Sequence, residues 1–256
     1  MIANYHTHTF RCHHASGTER EYIEKAIAEG LTVMGFSDHV PMPFPDGHQS
    51  GFRVRIEELE DYIRTLEALR EEYKDRIQIL IGFEAEYYPA YFEAMLELLA
   101  PYDYDYMILG QHFIDNEASR YAATPVTEDD ALVRYVDQVL AGLSTGKYTY
   151  LAHPDVYNYV GDAGVYYEQM KRLCEGCKAM GIPLEVNLLG LMGHRHYPSD
   201  RFYRIAGEVG NDAVIGCDAH HVKDVADPEA LAAGAAFAAK YGLRVLETVK
   251  VRNPKQ

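Results

Sequence analysis

Short apolar runs of strand character alternate with amphipathic stretches along the whole chain, and no other feature restricts its fold as strongly. The runs are Ile2–Tyr5, Val33–Ser37, Ile77–Phe83, Tyr106–Gly110, Tyr148–Ala152, Pro183–Asn187 and Ala213–Cys217, with Arg244–Leu246 as a candidate eighth. Helical spacing fills the intervals. Thr18–Glu29 opens on a capping box, Thr18 with Glu21 three residues on, and closes at Gly30. Ile56–Tyr73 sets Leu59, Tyr62, Ile63, Leu66 and Leu69 three and four apart, the apolar stripe of a helix packed on a sheet. Ala90–Leu99, Glu128–Leu143, Val165–Met180, Asp200–Val209 and Pro228–Tyr241 continue the series. Strands that alternate with helices run parallel and are joined by crossovers. Such a sheet either closes into a barrel, with working residues at many strand ends, or stays open, with those residues at one switch point.

The histidines discriminate between the two. The 256 residues include 12 His, and each falls just after a predicted strand or in the loop behind it. His6, His8, His13 and His14 follow the first strand, His39 and His48 the second, His112 the fourth and His153 the fifth. His194 and His196 lie behind the sixth, and His220 and His221 behind the seventh. The third strand ends instead in Gly82-Phe-Glu84-Ala-Glu86, while Asp38, Asp155, Asn187 and Asp218 stand at other strand ends. A lone His is most often a surface or satisfied core residue. Imidazole or carboxylate at every strand end is the ligand set of Zn, Mn or Fe. Ligands from so many strands converge only if the sheet closes, so the site itself predicts a barrel. In His6-Thr-His8, alternate residues of an extended chain point the same way and let two rings grip one ion.

Composition narrows the partners. Lys and Arg number 24 against 39 Asp and Glu, a net charge of −15 that repels nucleic acid and anionic lipid. Basic runs such as Lys250-Val-Arg252 are short, and 48% apolar residues suit a sizeable core rather than disorder. No apolar run approaches the ~20 residues of a membrane span. Met1-Ile-Ala-Asn-Tyr-His lacks the charged start and apolar stretch of an export signal, so the four Cys are expected as reduced thiols in a cytoplasmic protein. Without repeats or linkers, residues 1–256 are expected to form one domain, and the oligomeric state is left open. Cys174-x-x-Cys177 sits in a predicted helix with no second pair and reads as helix packing, while Cys12 and Cys217 are expected to pack against the barrel mouth rather than bind metal. Tyr87, Tyr88, Tyr157, Tyr159 and Tyr197 fall in loops at the same end and suit a pocket lining.

Taken in order, His6-Thr-His8, Cys12-His13-His14, Ser37-Asp38-His39, Gly82-Phe-Glu84-Ala-Glu86-Tyr87, Gly110-Gln-His112-Phe113, Ala152-His153-Pro154-Asp155 and Gly216-Cys-Asp218-Ala-His220 resemble the motifs of the polymerase and histidinol phosphatase (PHP) family. The likeness is greatest to its stand-alone, histidinol-phosphatase-type members. It implies a distorted (β/α)7 TIM-like barrel with a cluster of three divalent ions, Zn, Mn or Fe, at its C-terminal mouth. Carried over by position, His6, His8, Glu84 and Asp218 would hold the first ion; Glu84 would bridge to a second, completed by His112 and His153. His14, His39 and His220 would hold the third, although His13 at the commoner Pro position competes with His14. The motif Gly-Gln-His departs from the commoner Gly-Ser-Val-His. Val156-Tyr-Asn-Tyr159 stands where histidinol-phosphate phosphatases usually carry a phosphate-binding Arg.

The implied activity is metal-dependent phosphomonoester hydrolysis through a metal-bridging hydroxide, with Glu84 in the bridge and L-histidinol phosphate as the leading substrate. Phosphate orientation calls for cations beyond the metals, and Arg195 in His194-Arg-His196-Tyr-Pro, then Arg53 in the long second loop, are the candidates. Asp155, His196 and His221 are candidate proton donors to the leaving group. A nucleotide, a sugar phosphate or a phosphotyrosyl peptide is the alternative substrate. A metal-binding scaffold without catalysis is the alternative from another class.

Overall fold

A computed structural model describes residues 1–255. β1 (Ala3–Asn4), β2 (Val33–His39), β3 (Gln78–Ala85) and β4 (Tyr106–Leu109) form one parallel sheet in that order. β5 (Leu184–Asn187), β6 (Asp212–Gly216) and β7 (Arg244–Val245) form a second, also parallel. The helices are α1 (Glu19–Ala28), α2 (Leu59–Tyr73), α3 (Phe92–Leu99), α4 (Asp129–Ser144), α5 (Ala163–Ala179), α6 (Leu188–Met192), α7 (Asp200–Val209) and α8 (Pro228–Lys240). The predicted capping box opens α1, and α2 buries Leu59, Tyr62, Ile63, Leu66, Leu69 and Tyr73 against the sheet.

Two expectations are corrected. Tyr148–Ala152 is extended but forms no ladder: Leu151 alone is bridged, to Leu109 on one side and Leu184 on the other. The segment therefore stitches the two sheets together, with Thr149 N–H donating to Met107 O (2.8 Å) and Leu151 N–H to Pro183 O (3.1 Å). A single bridge on each side leaves no repeat from which a ladder could grow. Second, β5 runs straight into α6, because Asn187 is an N-cap whose Oδ1 accepts from Gly190 N–H (2.8 Å), where a loop had been expected.

At the far edges Thr7 bridges Ala219, and Cys217 N–H donates to Asn4 Oδ1 (3.0 Å), so the parallel strands curl around a common interior. That interior has an apolar floor of Ala3, Tyr5, Leu80, Tyr106, Ile108, Tyr150, Ala152 and Val214, closed from outside by Leu246, Val249 and Val251. Tyr106 crosses it and donates its hydroxyl to Tyr5 O (2.7 Å). Only glycine leaves room for that ring: a Cβ on Gly35 or Gly82 would lie 2.2 or 2.4 Å from it. One layer higher, a Cβ on Gly110 would strike the Glu84 carboxylate and one on Gly216 the Glu185 carboxylate, each at 1.8 Å. The strands thus pass from ring-filled to carboxylate-filled as they run toward their C-terminal ends. No helix among the described residues is long and apolar enough to cross a membrane.

Candidate metal centre

Above the floor the chain gathers nine groups from its strand ends: His6, His8, His14, His39, Glu84, His112, His153, Asp218 and His220. Glu84 is the hub. Its Oε2 lies 3.4 Å from His6 Nε2, 3.4 Å from His8 Nε2 and 3.1 Å from His39 Nδ1. Its Oε1 lies 2.6 Å from His153 Nε2 and 3.5 Å from His112 Nε2. Asp218 Oδ1 is 3.2 Å from His8 Nε2 and 3.5 Å from His6 Nε2. The His8 ring stacks on His220 at 4.2 Å and lies 4.4 Å from His39, and His14 lies 4.6 Å from His220. His8 thus stands between the residues that the resemblance assigns to the first ion and those it assigns to the third. His13 turns away, its Nε2 toward Glu58 at 3.6 Å. His48 bonds Glu117 Oε2 at 3.0 Å.

The rings are held from behind. His6 Nδ1 donates to Glu185 Oε1 (2.7 Å), His112 Nδ1 to Glu86 Oε1 (2.8 Å), His14 Nδ1 to Cys12 O (2.7 Å) and His220 Nδ1 to Asp218 O (3.0 Å). His8 Nδ1 faces Asp38 Oδ1 at 3.4 Å. A bond at one ring nitrogen leaves the other to carry the lone pair a metal needs. Glu185, which nothing in the sequence reading singled out, is fully buried and also accepts from Asn187 Nδ2 (2.9 Å). The available signal was an acid in the middle of an apolar strand.

These residues fit divalent ions. Buried His6 Nε2, His8 Nε2, His39 Nδ1, His153 Nδ1 and His220 Nε2 have no hydrogen-bond partner among the described residues. An unsatisfied buried group costs about 1–3 kcal/mol, so five together at one spot need a ligand to justify them. Ligand bonds of about 2.1 Å in tetrahedral array place donor atoms about 3.4 Å apart, the spacing seen around Glu84 and Asp218. Sets such as His8, His39 and His220, or His6, His153 and Asp218, bring their donor atoms within 4.8 Å of one another. His153 and Asp218 also sit at φ 66° and 48°, a left-handed backbone that non-glycine residues adopt at a cost of about 1–3 kcal/mol, as functional sites do.

Charge tells the same story. Burial opposes ionisation of Glu84 and Asp218, yet the surrounding imidazoles hold both well below the usual carboxylate range. Burial likewise opposes a charge on His8, but the nearby carboxylates of Asp218 and Asp38 outweigh it and raise the ring to about 9. His6 rises with it under Glu185, Asp218 and Glu84. Burial and then the His8 charge push His220 down to about 3, and burial takes His39 well below its ordinary value. The raised rings of His6 and His8 both lie against the Glu84 and Asp218 carboxylates. Burial, reinforced by Asp38, pushes the Cys12 thiol up and keeps it out of the thiolate form that binds metal.

The centre opens into a cavity of about 370 Å³ lined by His14, His39, Glu84, His112, Tyr121, His153, Leu189, Arg195, Tyr197, Asp218, His220 and His221. Arg195 thus stands at the mouth, its Nη1 donating to Tyr197 Oη (2.8 Å). Arg53 does not: it is 2% exposed, with its guanidinium spent on Glu86, Glu117 and Val40 O. Of the three candidate proton donors, His221 lines the cavity and shares a hydrogen bond with Ser16 Oγ (2.8 Å). His196 Nε2 is used on Val156 O (2.8 Å), away from the cavity wall. Asp155, lifted to about 6 by burial, accepts from Ser199 N–H (2.6 Å) and does not line the cavity. Tyr197 is the one of the five loop tyrosines named from sequence that lines the cavity; Tyr121 joins it there.

The chain is similar to known proteins in sequence and in fold. The chain is 27% identical over 241 residues to a probable histidinol-phosphatase of Deinococcus radiodurans, covering 88% of each. It is 31% identical over 121 residues to the histidinol-phosphatase of Bacillus subtilis, covering 44% of this chain and 45% of that one. In fold it is similar to histidinol phosphate phosphatase from Lactococcus lactis, solved with zinc, L-histidinol and phosphate (TM-score 0.72, 20% identity, 98% of each chain). The PHP domain family model matches residues 4–188, which cover three of the strand-end motifs built around Glu84, His112 and His153 as well as the opening His6-Thr-His8, and the chain belongs to that family.

Proposed function

We propose that the chain is a metal-dependent phosphomonoesterase whose substrate is L-histidinol phosphate. One observation carries the reading: buried imidazole nitrogens without partners face two ionised carboxylates on the floor of an open cavity that also holds Arg195. The names of the relatives support the substrate. In this reading β1 to β6 and the Tyr148–Ala152 segment form a (β/α)7 barrel within a single domain, and its mouth holds three ions, Zn, Mn or Fe. His6, His8, Glu84 and Asp218 hold one; Glu84, His112 and His153 hold a second; His14, His39 and His220 hold the third.

When bound, such ions lower the pKa of water and offset charge on phosphoryl oxygens. The remaining tasks fall to the chain's own side chains. Arg195, steadied by Tyr197, pairs with a phosphate oxygen and sets the ester's direction in the cavity. His221 stands at the rim, where it gives a proton to the departing alkoxide. Among the described residues Arg195 is the one Arg or Lys lining the cavity, which suits a small ester of an alcohol that itself carries positive charge, as histidinol does, better than a nucleotide that brings further negative charge. Phosphate release from histidinol phosphate, nucleotides, sugar phosphates and a phosphotyrosyl peptide, with Mn, Zn or Fe loaded, tests the reading. Preference for histidinol phosphate is expected, and a loaded protein that releases phosphate from none of them contradicts it.

A further inference from the structure

We infer that Arg53 is a positioning residue of the metal centre, acting through Glu86 on His112; this rests on His112 being a metal ligand. The carboxylates behind the rings are not backed alike. Glu185, behind His6, takes bonds from neutral Asn187 and Tyr150; Asp38, beside His8, takes them from Thr9. Glu86, behind His112, is paired with an arginine instead, its Oε2 2.6 Å from Arg53 Nη1. The other oxygen, Oε1, is thereby left to His112 Nδ1 at 2.8 Å. Both partners are buried, Glu86 fully and Arg53 to 2% exposure, so each needs the other's charge.

The consequence reaches the centre in two steps. Arg53 fixes Glu86 Oε2 and so aims Oε1 at His112 Nδ1, which donates to it. His112 Nε2, 3.5 Å from Glu84 Oε1, is then the nitrogen with the free lone pair. Arg53 can hold this place because it is itself held from separate directions. Nη1 also reaches Val40 O (3.2 Å), just past β2, and Nε reaches Glu117, in the segment after β4. A planar fork serves acceptors so dispersed; a lysine ammonium does not. The second-loop arginine thus acts on phosphate chemistry from behind a ligand and not by touching phosphate.

The test is zinc titration of the ion-free full-length chain against a chromophoric chelator, with far-UV circular dichroism as the check on folding. R53M and E86Q are each expected to weaken the uptake of one ion by about 10–100-fold, the usual effect of losing a ligand's supporting partner. The R53M/E86Q double variant is expected to lose no more than E86Q alone, because both act on one chain of bonds. E117Q, whose amide oxygen still accepts from Arg53 Nε, stays close to wild type, and R53K loses less than R53M. Wild-type affinity in R53M, multiplied losses in the double variant, or a loss in E117Q equal to that of R53M overturns the inference. If R53M does not fold, wild-type affinity in both E86Q and R53K overturns it. A wild-type chain that takes up no zinc overturns the reading of the centre, and this inference with it.

Discussion

Two layers of the same strands behave as different materials. Along β3, Leu80 and Gly82 face the Tyr106 ring, and Glu84, two residues on, enters the imidazole cluster. Along β4, Tyr106 and Ile108 give way to Gly110 and His112. The period-two alternation of a strand aims all of these inward. The lower layer is complete: rings fill the space left by glycines, and the Tyr106 hydroxyl finds a carbonyl. The upper layer is incomplete, with partnerless ring nitrogens and carboxylates that protons or ions must neutralise. Fold stability resides in the first and chemistry in the second, a division common to barrels that work at the C-terminal ends of their strands.

That division is breakable by substitution. Tyr106→Ala empties the lower layer and is expected to cost about 3–5 kcal/mol in thermal or denaturant unfolding, while zinc bound per folded chain is unchanged. Zinc capacity lost in step with stability would mean that the layers are not separate. His112→Ala is expected to lower turnover by more than about 100-fold, the effect of a lost supporting partner being the lesser case. Its ion-free unfolding should remain cooperative, with a midpoint at or above wild type, because a group from a crowded polar cluster is gone; calorimetry reads this directly.

Glu185→Gln probes how the layers meet. The amide leaves His6 Nδ1 a weaker acceptor and is expected to reduce ion affinity by about 10–100-fold in chelator competition. Wild-type affinity would show that the His6 tautomer is set elsewhere. The smallest effect is on pH. His6 and His8 are raised in the folded, ion-free chain, His8 to about 9. Their stabilisation is fully present below the ordinary histidine value of 6.5 and is lost as pH rises through about 9. The melting temperature of the ion-free protein should fall by several degrees across that window. With ions in place of the protons it should stay flat, and equal slopes would sink the coupling.

The strands and the gathering of the nine strand-end groups were legible for the same reason. Local alternation and helical spacing name strands and helices, and histidine at strand end after strand end points to one mouth. What stayed hidden depends on partners distant in sequence. Leu151 reads as part of a strand, yet its bridges lie at Leu109 and Leu184, and no local pattern reveals a single bridge on each side. Leu188–Met192 is too short to show helical periodicity, and Asn187, its N-cap, looked like one more strand-end ligand. Glu185 lies 179 residues from His6, and only the fold makes it the acceptor for that ring. Arg53 was legible as a loop cation but not as a buried one, because Glu86 and Glu117 approach it from other loops. His196 and Asp155 are in the right loops, but His196 Nε2 is taken by Val156 O and Asp155 Oδ2 by Ser199 N–H, and neither residue lines the cavity.

The most direct measurement is the ion content of the chain, by elemental analysis after loading with zinc or manganese and exhaustive dialysis, with His112→Ala alongside. A filled upper layer predicts three ions retained by the wild type and fewer by the variant. A wild-type chain that emerges well folded but free of metal would contradict it.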